Sequence, residues 1–366
     1  MVKIHRTEEH SLMNRTDRFL NAGRYCQLGL VLLLLAGQSV MAQDEARTQD
    51  APVRVNLKLD KETIMLGEPM FIAFEVTNMS GDTLCLGIGG DYRNKFGRPE
   101  SFDVSVTSAD GTALRKPEAI TMGGLIGCAP IQPGETYTVR LFLPHWATIE
   151  RTGTYKVNVK RRMGFSIYGS SFTYSAPPKY SMEAEVNGEF TVVPADDNKM
   201  GAVINSLGSV MLDSSNPLSV ESTTALATIN DKRVISYLTE AVRNWTKCEF
   251  NDPFSRENVI KSNAIAILGT YDDDRAIQAL QAAMDSSCDD TRLEVASAFG
   301  DSPHKAAIKL LLKMQDDSYW FVRLRVAQGL KNQNSKEALA ARDKLLKDEN
   351  EDVRKAAKEI GKSISR

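Results

Sequence analysis

Apolar residues in the last third of the chain recur at helical spacing, and the pattern then repeats. Ile260, Thr291, Val322 and Val353 fall at one fixed interval, the step from position 260 to position 291. Lys261, Arg292, Arg323 and Arg354 keep that spacing, as do Ala264, Val295, Val326 and Ala357. Leu268, Phe299 and Leu330 continue it, with Gly269 and Gly300 beside the first two. A second series runs in step: Ala276, Ala307 and Ala338, next to Ile277, Ile308 and Leu339. Two helical series locked to one period predict stacked helix pairs, each burying its apolar face on its neighbours.

The unit from Thr291 shows the expected anatomy. Leu293, Val295, Ala296 and Phe299 form one helical stripe, and Gly300 is expected to stop that helix. Asp301-Ser302-Pro303 makes the turn, with Pro303 suited to the first position of the next helix. Ala307, Ile308, Leu311 and Leu312 give the second stripe. Small residues at Ala264, Ala296 and Ala327 let neighbouring helices close to about 8–10 Å. A looser unit precedes these, marked by Ala225-Leu226-Ala227 and Arg233-Val234-Ile235. The step from Arg233 to Arg275 is longer than the period, so an insert is expected near Trp245 to Ser255, carrying Cys248. Met200 to Leu212 reads as a helix capping the stack, and Lys355, Lys358, Lys362 and Arg366 as a polar closing face.

Between Val53 and Val193 the period is two. Val53, Val55, Leu57 and Leu59 alternate with polar residues, as do Met70, Ile72, Phe74 and Val76. So do Tyr137, Val139, Leu141 and Leu143, then Tyr155, Val157 and Val159. Each set predicts a strand with one buried face. Leu66-Gly67-Glu68-Pro69, Ser80-Gly81, Ala109-Asp110-Gly111 and Gln132-Pro133-Gly134-Glu135 supply the turns. Short strands with frequent turns predict an antiparallel β-sandwich. From Arg161 onward the alternation weakens. Tyr168, Phe172, Tyr174, Tyr180 and Phe190 sit among Ser, Gly and Pro, which reads as an irregular strand pair closing the sandwich, or as an aromatic ligand platform.

Two resemblances follow from these residues. Leu66-Gly67-Glu68-Pro69 with Val76-Thr77-Asn78, Pro133-Gly134-Glu135 and Gly153-Thr154-Tyr155 resemble immunoglobulin-like domains of bacterial exported proteins. The disulfide and core tryptophan of antibody domains are not evident, so the likeness implies a divergent fold and no particular function. Val353-Arg354-Lys355-Ala356-Ala357, Val322-Arg323, Val326-Ala327, Gly300-Asp301 and Asp274-Arg275 resemble short HEAT-like repeats. Standard HEAT units run to about 40–47 residues, and tetratricopeptide and ankyrin units to about 34 and 33. The shorter period is similar to the compact repeats of phycobilin-lyase-related proteins, whose lyase activity the repeat alone does not carry over. The fold class expected is therefore multidomain β + α: an antiparallel immunoglobulin-like β-sandwich followed by a right-handed α-solenoid of HEAT-like repeats. The expected boundaries are 1–42 signal peptide, 43–52 flexible N-terminus, 53–193 sandwich, 194–199 linker and 200–366 solenoid.

The start of the chain has the character of an export leader. Arg15, Arg18 and Arg24 precede an apolar run from Leu28 through Leu35, and Val40-Met41-Ala42 offers residues that a signal peptidase reads. The apolar run is shorter than the roughly 20 residues that span a bilayer. The charged stretch before it is long, and Met13 is a second possible start; a retained membrane anchor is the other reading of the same run. No later stretch of sequence is apolar enough to span a membrane. Export predicts a periplasmic or extracellular protein.

Net charge is −2 for the whole chain, and the leader holds five Lys/Arg against three Asp/Glu, so the remainder is slightly more acidic. That balance argues against a nucleic-acid backbone binder, which needs a basic patch. Four cysteines follow the leader: Cys85, Cys128, Cys248 and Cys288. An even number in an exported chain predicts disulfides, most simply one within each half, with free buried thiols as the other reading. A Cys85–Cys128 bridge would pin two long loops, one of them the glycine-rich Gly87-Ile88-Gly89-Gly90-Asp91-Tyr92. No helix pattern follows that loop, as a phosphate cradle requires. A Cys248–Cys288 bridge would staple adjacent repeats.

Candidate chemistry is sparse. After the leader the histidines are His145 and His304, far apart and without partners at metal spacing. There is no Cys-x-x-Cys, His-Glu-x-x-His, Gly-x-Ser-x-Gly or phosphate loop, and no cofactor motif. Asp272-Asp273-Asp274 and Asp289-Asp290 lack the spacing of a calcium hand and suit helix starts. Two interaction candidates remain. The ladder Lys261, Arg292, Arg323 and Arg354 would either face an acidic partner or bond aspartates of the next turn. Tyr319-Trp320-Phe321 is either a hot spot of the kind aromatics supply or packing against the preceding unit. The expected function is an exported, non-catalytic protein-interaction or scaffold protein, its partner a protein. The alternatives are an envelope- or carbohydrate-binding module using the sandwich loops, and a lyase-like or accessory enzyme.

Overall fold

The computed structural model describes residues 51–89, 101–117, 126–169, 178–245 and 255–361. The leader expected over 1–42, most of the stretch 43–52, Cys248 with its insert, Phe172, Tyr174, Lys362 and Arg366 lie outside the described residues.

The N-terminal part is built of strands in two sheets. One sheet has the order β1-β3-β7, from β1 (Val53–Leu59), β3 (Phe71–Asn78) and β7 (Thr136–Phe142), all antiparallel. The other has the order β2-β9-β8-β4-β6, with β5 also paired to β8. Its members are β2 (Thr63–Met65), β4 (Leu84–Gly89), β5 (Phe102–Ser108), β6 (Ile126–Ile131), β8 (Gly153–Ile167) and β9 (Tyr180–Val193). The alternating positions of both sheets meet in one core, with Ile72, Phe74, Val76 and Leu141 opposite Val104, Val157, Val159 and Phe190.

Two features depart from the sequence reading. The second sheet is not wholly antiparallel, because β2 runs parallel to β9. Residues 161–167 and 180–193 form long regular strands paired from Gly153↔Val192 to Phe165↔Tyr180, not an irregular closing pair. The alternation weakens in sequence because an arginine occupies an inward position. Arg161 is 2% exposed, and its guanidinium lies over the Phe102 ring at 4.4 Å and near Phe74 at 6.0 Å. The aromatic residues of the supposed platform divide accordingly: Phe190 is buried, Tyr180 is half-buried and Tyr168 is exposed.

The turn motifs have visible jobs. Gly67 and Gly134 adopt φ of 84° and 78°, where a Cβ is strained. Glu68 turns back to accept the Met65 N–H at 2.9 Å and pairs with Lys61. Asn78, fully buried at the end of β3, donates to the carbonyls of Asp82 and Ile131 at 2.8 and 2.9 Å. It thereby ties the first sheet to β6 of the second.

Helices make up the C-terminal part. They are α1 (Asp197–Leu212), α2 (Ser219–Ala227), α3 (Val234–Trp245), α4 (Arg256–Gly269), α5 (Asp274–Ala283), α6 (Asp289–Asp301), α7 (Ala307–Lys313), α8 (Trp320–Gly329), α9 (Lys336–Leu345) and α10 (Glu351–Ala357). Asp196 caps α1 by accepting the Lys199 N–H at 3.0 Å, so Asp197 to Lys199 are helical although the sequence suggested a linker over 194–199. Helices α2, α4, α6, α8 and α10 pack in succession as one row, and α3 meets α5 and α7 meets α9 in a second. Ala264, Val295, Val326 and Ala357 are each fully buried between the rows.

The repeat glycines act differently from expectation. Gly300 lies inside α6, which runs to Asp301, and Pro303 precedes α7 by four positions instead of opening it. A Cβ on Gly300 would sit 2.9 Å from the Gly329 Cα, and one on Gly329 would sit 2.8 Å from the Gly300 Cα. Gly269 meets Ala298 at 3.0 Å in the same way. These positions admit close approach of α4, α6 and α8; Gly269 and Gly329 are the last residues of their helices, but none of the three has the positive φ of a terminating glycine.

Candidate functional site

The ladder side chains begin from one helical position per unit. Val322 and Val326 on either side of Arg323 are buried, which turns the guanidinium toward the loop that leads into the next helix pair. Arg292 holds Asp317, 25 residues on, with Nε to Oδ2 at 2.7 Å and Nη2 to Oδ1 at 2.9 Å. Its Nη1 donates to the Ser286 carbonyl and its Nη2 to Asp289. Arg323 repeats the geometry on Asp348, also 25 residues on, at 2.6 and 3.0 Å. It adds the Asp317 carbonyl and Glu349. Both aspartates and both arginines are largely buried at the side chain, at 7–12% exposure.

The series changes at its ends. Lys261 is 2% exposed and donates to Thr291 Oγ1 at 3.0 Å and Asn258 Oδ1 at 3.3 Å. The matching position after it is Ser286, where the later units have aspartate. Arg354 closes on the carbonyls of Asp348 and Glu349 at 2.6 and 2.8 Å.

This geometry sets the electrostatics. Hydrogen bonds to Asp317 hold the Arg292 guanidinium above its ordinary value, and those to Asp348 do the same for Arg323. Burial alone would push Asp317 and Asp348 up. Their hydrogen bonds from Arg292 and Arg323 outweigh it, and both carboxyls stand below the ordinary 3.8. Fork-to-fork pairs of this kind fix direction as well as distance. The ladder's charge is thus spent on joining one unit to the next.

The aromatic triplet sits where α8 begins. Tyr319 is the N-cap, its N–H donating to Asp317 Oδ1 at 2.9 Å. Phe321 lies against Trp320, with ring centroids 3.8 Å apart, and is 5.8 Å from Tyr319. All three are half-buried; Tyr319 and Trp320 lean on the helical core, and Phe321 is not part of it. Behind the N-terminus of α8 opens a groove of about 760 Å³ lined by Asp316, Asp317, Arg323, Lys344, Asp348 and Glu349 among others. Lys344 crosses it to Asp316 at 2.5 Å.

Cys85 and Cys128 form a disulfide with their Cα atoms 5.4 Å apart. It joins β4 to its neighbour β6 within one sheet, not loop to loop as the sequence suggested, since both cysteines lie inside paired strands. Cys288 is disulfide-bonded as well.

The histidines are kept apart from one another. His145 stacks edge-on against Phe142 at 4.9 Å. His304 accepts the Ala306 N–H at Nδ1, 3.2 Å, so Nε2 carries the proton toward Asp274 Oδ1 at 3.1 Å. Among the described residues no group of His, Cys, Asp and Glu could hold a metal ion. No helix among them is long and apolar enough to cross a membrane.

Sequence reasoning missed one junction. Arg140 of β7 bonds Asp60 at 2.7 and 3.1 Å and Glu221 of α2 at 2.7 Å, joining strands to helices. Met65 of β2 adds its side chain to the helical core. Arg140 stands on the polar face of the alternation around Val139 and Leu141, where a charge is ordinary, so the sequence carried no signal of this contact.

Comparison with known proteins bears on the helical part. Residues 255–331 match the family model for HEAT repeats, so the chain contains HEAT-like repeats. No curated protein sequence matches the chain. Among solved structures, human deoxyhypusine hydroxylase in complex with glycerol is 19% identical over 43% of this chain and 72% of its own, with a TM-score of 0.26. BslA, a bacterial hydrophobin, is 11% identical over 40% of this chain and 98% of its own, with a TM-score of 0.20. Spo0M, a sporulation control protein from Bacillus subtilis, is 16% identical over 43% and 56%, with a TM-score of 0.19.

Proposed function

We propose that this protein is an exported, non-catalytic scaffold that binds a protein partner through its helical array. The observation that carries this reading is the register of the helix pairs, which HEAT repeats match over 255–331. Arrays of this kind present long surfaces and use their buried residues for stacking. In this reading the helices form a right-handed solenoid. The two sheets act as a divergent immunoglobulin-like sandwich that spaces or docks the array. The segment 1–42 serves as a signal peptide, delivering the chain to the periplasm or beyond. The Cys85–Cys128 disulfide supports an oxidising compartment.

The test is crosslinking capture of the protein in its own cell envelope. Reproducible recovery of one protein partner, lost when α6 to α10 are disrupted, is the expected result. Recovery of no partner, or retention of glycan by the strands alone, overturns the reading.

A further inference from the structure

Resting on that scaffold reading, we propose that the outer face of α6, α8 and α10 binds an extended basic segment of a partner protein, one of whose cationic side chains lies over Trp320 and Phe321.

Helix α6 packs on α8 and α8 on α10. Trp320-Phe321 at the start of α8 is matched one period earlier by Asp289-Asp290 and one period later by Glu351-Asp352. Equivalent positions on successive helices lie side by side, so an aromatic pair is flanked by an acidic pair on each side. Val322, Arg323, Val326 and Ala327 of α8 are buried, and Trp320 and Leu324 lean on the core at its edge, which leaves Phe321 as the aromatic ring of this face that the core does not hold. Phe321 rests on Trp320 and takes no part in the core. Core packing therefore does not account for a phenylalanine where the neighbouring units have aspartate.

Charge decides which partner fits. The basic ladder could have attracted acids, but Arg292 and Arg323 are held by Asp317 and Asp348. The acids of the outer face are less committed. Asp290 is exposed and, among the described residues, has no ion-pair partner. Asp289 touches Arg292 yet stays 55% exposed. Glu351 and Asp352 pair with Lys355 of their own helix at 3.0 and 3.7 Å, in exposed contacts of the kind worth little and easily exchanged. The remaining cation on this side of α8, Arg325, bonds Gln328 one turn further on. An aromatic face bordered by carboxylates attracts a cation through the ring quadrupole and the surrounding field together.

Spacing narrows the ligand further. Helices packed about 8–10 Å apart put each acidic pair about three residues of polyproline-type extended chain from the aromatic pair, the conformation in which every third side chain returns to the same face. The segment therefore carries Lys or Arg at about every third position.

The experiment uses the full chain and two synthetic probes. One is a Gly/Ser peptide with Lys or Arg at every third position, and the other is its Glu-substituted counterpart. Fluorescence anisotropy is expected to show salt-sensitive binding of the basic peptide alone. Phe321→Ala should weaken it about tenfold, and Asp290→Asn with Asp352→Asn by at least as much, with circular dichroism and melting unchanged. Equal binding by folded variants, or none by the parent, overturns the assignment. So does a dimer of the chain that Phe321→Ala dissolves, which would make the patch a self-contact. If the basic peptide binds but no partner is captured in the envelope, the scaffold reading falls and the surface stands. If capture survives undiminished in Phe321→Ala, the surface falls and the scaffold reading stands.

Discussion

Arg140 and Glu221 lie 81 residues apart in sequence and join at 2.7 Å, across the boundary between the strands and the helices. Arg140 also grips Asp60, so one guanidinium holds a strand turn and a helix start together. Replacing it with alanine should cost about 1.5–2 kcal/mol, at the low end of the range for hydrogen bonds to charged groups. Cleavage near Pro194 should become faster under limited proteolysis. Unchanged melting and unchanged cleavage would show that Met65 and its neighbours hold the junction without help.

The Arg323–Asp348 clasp is more buried and should matter more. Asp348→Ala leaves a guanidinium without its main partner and is expected to cost about 2–3 kcal/mol, somewhat below the range for fully buried pairs. Denaturant unfolding of the full chain measures it. Arg323→Lys should recover only part of the loss, because an ammonium cannot match the two-pronged geometry.

The same clasps predict a pH dependence with a definite sign. Asp317 and Asp348 are held below their ordinary 3.8 in the folded chain. Their contribution is complete above that value and drains away as pH falls through the lower folded one. Asp317→Asn with Asp348→Asn should therefore flatten the loss of stability with acid, as read by melting temperature from neutral pH downward. An identical slope in parent and variant would contradict it.

Gly300→Ala tests whether the repeat glycines serve contact or capping. Alanine favours the helix by about 1 kcal/mol, but its Cβ would sit 2.9 Å from backbone of Gly329. Overpacking should win, with a net loss of about 1–3 kcal/mol. Gly81→Ala, where a Cβ meets nothing within 4 Å, is the control and should be nearly neutral. A stabilised Gly300→Ala would refute the close-approach reading.

The disulfide should be worth more than its local contacts. Cys85 and Cys128 are separated by 43 positions, and closing a loop of that size stabilises by roughly 3–4 kcal/mol in the chain-entropy picture. Cys85→Ser with Cys128→Ser should lower the melting temperature of the strands. Peptide mapping without reduction should recover the Cys85–Cys128 pair and a second crosslink at Cys288.

Much of this was legible in the sequence, for identifiable reasons. Helix pairs show through because Val295, Val326 and Ala357 must all face the same interior, and burial imposes a period that the alphabet records. Strands β1, β3 and β7 show through because one face of each meets the core. Parallel pairing of β2 with β9 was hidden, since three residues carry no directional signal. The buried place of Arg161 was hidden because hydrophobicity counts it as an outward residue, while its stem and planar head can lie on Phe102. For the ladder, spacing revealed the cations but not their partners. Asp317 and Asp348 stand one period apart as well, yet Ser286 breaks that series in the unit before them.

The direction of the clasps has a consequence for how the array can be cut and recombined. Arg292 and Arg323 reach forward to Asp317 and Asp348, which lie in the loops that follow α7 and α9. The smallest transferable piece is therefore a helix pair together with the loop after it. A pair moved without that loop would carry a stranded cation to its new site and leave a stranded acid at the old one.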